Sequence, residues 1–139
     1  MIRNISYQSK ELTTEINQKV GKAYSIFQVF KLKGIGSPRL RVREASLSFQ
    51  KYLPKIENGE FCNIEIRPGG IIIRFRYHLD SMAWIIPFYH LSLFKSGDYY
   101  SIHAEGEFLK VGVAYNDVEP DPFFDKLQAL KSEKQHDMQ

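Results

Sequence analysis

From Ser9 onward, apolar residues recur at steps of three and four: Leu12, Ile16, Val20, Ala23, Tyr24, Phe27 and Phe30. That spacing places them on one stripe of an amphipathic helix. It predicts a helix from about Lys10 to Phe30, capped by Ser9 and stopped by the GIGSP stretch at residues 34–38. Within that stretch Ser37 can cap a second helix with Pro38 at its first position, where a missing N–H costs nothing. Val42, Ala45, Phe49, Tyr52 and Leu53 would share its buried face, and Pro54 would end it. A strand competes over residues 39–43, because Leu40 and Val42 alternate with Arg39, Arg41 and Arg43. The cap signal favours the helix, so residues 9–53 are expected to be helical.

After the turn-forming residues 57–60 the period falls to two. Phe61 to Arg67 reads as a strand, residues 68–70 as its turn, and Ile71 to Leu79 as a second strand. In the latter Ile71, Ile73, Phe75, Tyr77 and Leu79 alternate with Ile72, Arg74, Arg76 and His78. Asp80 and Ser81 are expected to turn the chain into a long strand, Met82 to Phe94, broken or bulged at Pro87, which has no N–H for a ladder. Residues 95–98 make the next turn, and Tyr99–Ala104 and Phe108–Tyr115 form two further strands. Asp121 caps a closing helix over residues 122–134, with Phe123, Phe124, Leu127 and Leu130 to bury.

The elements add up to one α+β domain spanning residues 1–139, in which two N-terminal helices and one C-terminal helix cover an antiparallel meander of about five strands at 61–115. Trp84, Ile86, Phe88, Ile73, Phe75, Tyr77, Phe27 and Leu127 are candidate core members. A chain of 139 residues with 43% apolar composition is long enough for one core and short for two. The longest run free of Asp, Glu, Lys and Arg, Ser81 to Phe94, is 14 residues. That is short of the ~20 needed for a membrane-spanning helix. The single cysteine, Cys62, excludes an internal disulfide and any paired-cysteine zinc or redox motif, and the opening residues lack the apolar core of a secretory signal, so a cytoplasmic protein is expected.

The net charge of +3 conceals an imbalance: residues 1–60 hold 11 Lys and Arg against 5 Asp and Glu, and residues 61–139 hold 8 against 11. Mutual attraction between two halves of one domain accounts for this more simply than an anion-attracting end. Lys31 to Arg43 contains five cations and no acid. Nucleic-acid binding would also require exposed stacking aromatics or a recognisable motif, and on a helix Arg41 would point away from Arg39 and Arg43, so that reading ranks last.

Two clusters invite chemical readings. Arg74, Arg76 and His78 alternate along one strand as on anion-binding sheet faces, although a solvated strand face would look the same. If Phe94 and Tyr99 flank the turn at 95–98, His90 faces His103 with Glu105 two residues on, a set of ligands for a divalent metal. A slip of one residue would separate the histidines, and two half-exposed sheet histidines are the plainer reading. Asp117, Glu119 and Asp121 alternate as calcium ligands do, but Pro122 and Gln128 stand where such a loop needs glycine and glutamate. No phosphate loop, dinucleotide fingerprint, nucleophile elbow or zinc-protease motif is present. Cys62, at the start of a strand, reads as a small buried residue.

The segments GGIIIRF, WIIPFYHLSLF and YYSIHAEGEF, with Gly70, Ile71, Ile86, Pro87, Phe88 and Leu91 at the matching positions, resemble the bacterial pleckstrin-homology-like domains over about residues 61–131. The resemblance implies a seven-stranded meander closed by a C-terminal helix, and a binding scaffold that contacts lipid, peptide or protein. It carries over no catalytic residue and no cofactor. The expected function is therefore a non-enzymatic binding module, with an unidentified protein or an anionic surface as partner through Arg74, Arg76 and His78. A small metal-dependent enzyme using His90, His103 and Glu105 is the alternative, and nucleic-acid binding through residues 31–43 the third.

Overall fold

A computed structural model of the chain describes residues 1–114 and 118–137, with the side chains of 58 and 135–137 left out. Tyr115 and Asp117, singled out above, lie outside the described residues. Eight strands among them form one open sheet in which every neighbouring pair is antiparallel. They are β1 (Ile2–Asn4), β2 (Leu40–Ala45), β3 (Glu60–Arg67), β4 (Gly70–Tyr77), β5 (Asp80–Pro87), β6 (Ser92–Ser96), β7 (Tyr99–Ala104) and β8 (Glu107–Val113). Their spatial order is β1-β5-β4-β3-β2-β8-β7-β6. Two consecutive meanders, β2 to β5 and β6 to β8, thus join along β2 and β8, and β1 adds an edge.

The α+β class and the antiparallel meander are as expected, but the strand count rises from five to eight. Part of the difference lies at Pro87. The chain leaves the sheet there, makes one 3₁₀ turn at Phe88–His90, and re-enters as β6, so one predicted strand becomes two. A second part is β2, where the predicted helix over 38–53 does not form. Its backbone pairs with β3 on one side and β8 on the other, with Leu40 opposite both Cys62 and Val113. Ser37 does not cap a helix; its hydroxyl donates to the Pro38 carbonyl and accepts from the Ile64 N–H at 2.9 Å. Alternation won over the local cap signal because two strands distant in sequence satisfy the backbone on both edges.

The predicted helix over Lys10–Phe30 divides. Helix α1 (Lys10–Val20) has Ser9 as its N-cap, accepting from the Leu12 N–H, and ends at Gly21 with φ +84°. A new helix, α2 (Ile26–Lys31), starts from a capping box between Ser25 and Gln28. Phe27, expected in the core, is 77% exposed. Two short helices follow β2, α3 (Leu47–Gln50) and α4 (Ile56–Gly59). The closing helix α5 runs Asp121–Asp137. Asp121 accepts from the Tyr100 hydroxyl and from Lys95 Nζ, and those hydrogen bonds hold its carboxyl below the usual range. Burial, and then Asp121, push the Tyr100 phenol up.

One face of the sheet carries the main core. Leu40, Ile64, Ile73, Trp84, Ile102 and Val111 meet Phe49 of α3, Leu53, and Phe123, Phe124 and Leu127 of α5. The opposite face has a smaller core, in which Ile16 and Val20 of α1 pack on Ile72, Ala83 and Ile85. This second cover explains the run Ile71-Ile72-Ile73, all buried, since a strand covered on both faces has no outward position to make polar. The approach is close at Gly70, where a Cβ would stand 2.2 Å from the Ile86 carbonyl oxygen and 2.7 Å from Val20 Cγ1.

Candidate functional site

Helix α1 covers only part of the second face. Beyond Ile72, strand β4 continues on that face with Arg74 and Arg76. Register places Asn63 beside Arg74, and Phe61 beside Arg41 of β2. Arg39, two residues before Arg41, lays its guanidinium over the Phe61 ring, 4.2 Å from the centroid. Arg39, Arg74 and Arg76 therefore border one cleft of about 690 Å³ whose floor includes Phe61 and Asn63 and whose rim includes Ser37 and Ser81. The floor-side Cys62 is buried, and burial pushes its thiol up to about 12, which disfavours the thiolate at neutral pH.

The three arginines are not equivalent. Arg74 donates from Nη1 to Glu65 at 2.7 Å, and Arg67 donates from Nε to the other oxygen of the same carboxylate. Arg67 also reaches the Gly21 carbonyl at 3.0 Å, so the ladder ties the end of α1 to the sheet. Partial burial alone would raise the Glu65 carboxyl, but the hydrogen bonds and charges of Arg67 and Arg74 outweigh it and hold the group below its ordinary value. Arg76 is exposed and, among the described residues, makes no hydrogen bond or ion pair.

The same face extends along β2. Arg41 donates to the Glu57 carbonyl at 3.4 Å, while its buried Nε has no hydrogen-bond partner among the described residues. Arg43 stands over the Tyr99 ring at 5.5 Å. Gly112, opposite Arg41, leaves room for this packing, since a Cβ there would come 3.3 Å from Tyr99 and 3.6 Å from Arg43 Nε.

His78 separates from the arginines with which it was grouped. The β4–β5 turn falls at His78–Leu79 instead of Asp80–Ser81, because Tyr77 pairs with Asp80. His78 takes a left-handed conformation, φ +57°, lies with its ring tilted against Tyr77, and does not line the cleft.

The pairing expected of His90 is also displaced. Only Gly97 and Asp98 form the β6–β7 turn, so Ser92 faces His103, and His90 lies in the 3₁₀ turn. His90 Nδ1 is 3.7 Å from Glu105, whose other oxygen is 3.2 Å from the Met1 amino group. The His103 ring packs between Phe94 and Phe108. All three residues border one shallow depression, but among the described residues no three His, Cys, Asp or Glu side chains are grouped so as to hold a metal ion.

Arg39, weighed in the sequence only within the basic window 31–43, was not grouped with Arg74 and Arg76, because it meets Phe61 only when residues 39–43 are extended; Asn63 follows from the β3–β4 hairpin alone but was not singled out. The alternation at 39–43 was the signal that could have found Arg39. Comparison with protein-family models, with curated proteins and with solved structures finds no match, which leaves the chemistry of this face as the ground for a functional reading.

Proposed function

We propose that the protein is a non-enzymatic binding module that takes a phosphate- or carboxylate-bearing ligand in the cleft between Arg39 and the Arg74–Arg76 pair. The observation that carries this is the exposed Arg76 guanidinium, with no partner among the described residues, facing a cleft that α1 stops short of covering. A guanidinium presents paired donors matched to a carboxylate or phosphate edge, and Asn63 adds an amide. The pleckstrin-homology-like reading is supported by β2 to β8, seven antiparallel strands in succession followed by a helix on the core. A cytoplasmic setting is supported by the lone buried thiol. No helix among the described residues is long and apolar enough to cross a membrane.

The test is calorimetric titration with two probes, tripolyphosphate and a short polyglutamate peptide, on the parent chain and on the Arg74→Ala/Arg76→Ala variant. At least one probe should bind, and the double variant should lose about tenfold or more per charge-assisted bond removed. The stronger probe decides between phosphate and carboxylate. No binding of either probe, or equal affinity in the variant, would refute the proposal.

A second reading, single-stranded nucleic acid, gains from one observation: Arg39, just before β2, and Arg41 and Arg43 within it lie along this face, with Phe61 and Tyr99 under Arg39 and Arg43. A fluorescent oligothymidylate should then bind with an affinity that falls steeply as salt rises; a flat salt response or no binding removes it.

A further inference from the structure

Helix α2 is amphipathic in the inverted sense. Val29 and Leu32 turn inward and are half-buried, while Ile26, Phe27 and Phe30 are 91%, 77% and 85% exposed. Positions 26, 27 and 30 fall on one side of a helical turn, so the three make a single apolar face. The helix does not depend on that face for its fold. Its start is fixed by the Ser25–Gln28 capping box, and the Gly34 N–H closes its end on the Val29 carbonyl at 2.9 Å. The segment beyond it is held to α5 by Lys126 Nζ, which donates to the carbonyls of Lys33 and Gly34 at 3.1 and 3.0 Å.

The chain that carries this face is cationic, although Glu133 of α5 lies near enough to Tyr24 to join burial in raising its phenol. Between Glu15 and Glu44 the chain has no acid and seven cations, of which Lys22, Lys31 and Lys33 flank α2 and are exposed. Three apolar side chains on one helical turn fall well below the roughly 1,200 Å² that a stable protein interface buries. Apolar side chains ringed by lysines instead match a bilayer interface, where the rings enter the headgroup–acyl boundary and the ammonium groups meet anionic headgroups.

We propose that α2 is a peripheral membrane-contact element: Ile26, Phe27 and Phe30 insert shallowly into an anionic lipid surface, and Lys22, Lys31 and Lys33 hold the headgroups. Each component is too small to anchor alone, so contact is reversible and requires both. This site is separate from the arginine cleft, whose lining includes no residue of α2.

The experiment is co-sedimentation of the full chain with vesicles of phosphatidylcholine alone and of phosphatidylcholine with about one third phosphatidylglycerol, at low and high salt. The parent should bind the anionic vesicles, weakly or not at all the neutral ones, and less at high salt. Phe27→Ser/Phe30→Ser, which alters only outward side chains, should lower the partition at least tenfold with an unchanged thermal melt. Lys31→Glu/Lys33→Glu should do the same, and Arg74→Ala/Arg76→Ala should not. The proposal fails if the parent ignores anionic vesicles, if Phe27→Ser/Phe30→Ser binds as the parent does, or if only the arginine variant loses binding, which would move lipid contact to the cleft. It also fails if sedimentation velocity shows a dimer that Phe27→Ser/Phe30→Ser dissociates, since the face would then be covered by a second copy.

Discussion

The second sheet face has two parts built on the same strands, one beneath α1 and one open. On β4 the change occurs within three positions, from buried Ile72 to half-buried Arg74 and exposed Arg76; on β5 it runs from Ile85 and Ala83 to Ser81. Alternation decides which side of the sheet a residue occupies, and is the same in both parts. Whether that side is covered is decided by what stands on it. Isoleucine and alanine allow a helix to pack within van der Waals distance, whereas a helix laid over Arg76 would strip water from a charge and supply no partner. Helix α1 ends at Gly21 against the β3–β4 turn, where Arg67 holds the Gly21 carbonyl and shares the Glu65 carboxylate with Arg74 of the open part.

The comparison is broken most severely at Gly70. Gly70→Ala drives a methyl group into the Ile86 carbonyl and Val20, so α1 cannot dock without moving the sheet. A loss of about 3 kcal/mol is expected in urea unfolding, at the upper end for overpacking. A loss below about 1 kcal/mol would show that the covered part is looser than described.

Glu65→Gln tests the boundary. The carboxyl lies lower in the folded chain than in the unfolded one, so its stabilising contribution is complete above the ordinary carboxylate range and is lost as pH falls through the folded value. The variant should be less stable than the parent by about 1 kcal/mol at neutral pH, a modest figure because solvent reaches the site. The gap should close in acid; a gap independent of pH would remove the charge from the explanation.

The smallest effect on stability belongs to the open part. Arg76→Ala should unfold within about 0.5 kcal/mol of the parent. A larger loss would identify Arg76 as a structural residue and weaken its assignment to ligand.

How much of this was legible beforehand follows the range of the interactions involved. The β3–β4 hairpin was readable from the alternation on either side of Pro68 and Gly69, because its register depends on adjacent residues. Pro87 was readable as a break but not as an exit from the sheet, since the 3₁₀ turn depends on Phe88 burying in the core. Residues 39–43 were misread because Ser37 and Pro38 offer a cap within reach, while β8 is some seventy residues away. Periodicity carried the first helix too far: Phe27 and Phe30 keep the spacing of a buried stripe after Gly21 has redirected the chain. Of the site, Arg74 and Arg76 were visible from alternation alone, and Arg39 was hidden by the helix assigned to it.

The seam between β2 and β8 also bears on synthesis. As the chain leaves the ribosome, the first meander can zip up once residues 40–87 have emerged, but its outer strand stays without a neighbour until residues 107–113 follow. Until then that edge would carry Arg39, Arg41 and Arg43 with Glu44 beside them, and charged side chains on an unpaired strand disfavour its pairing with a second copy.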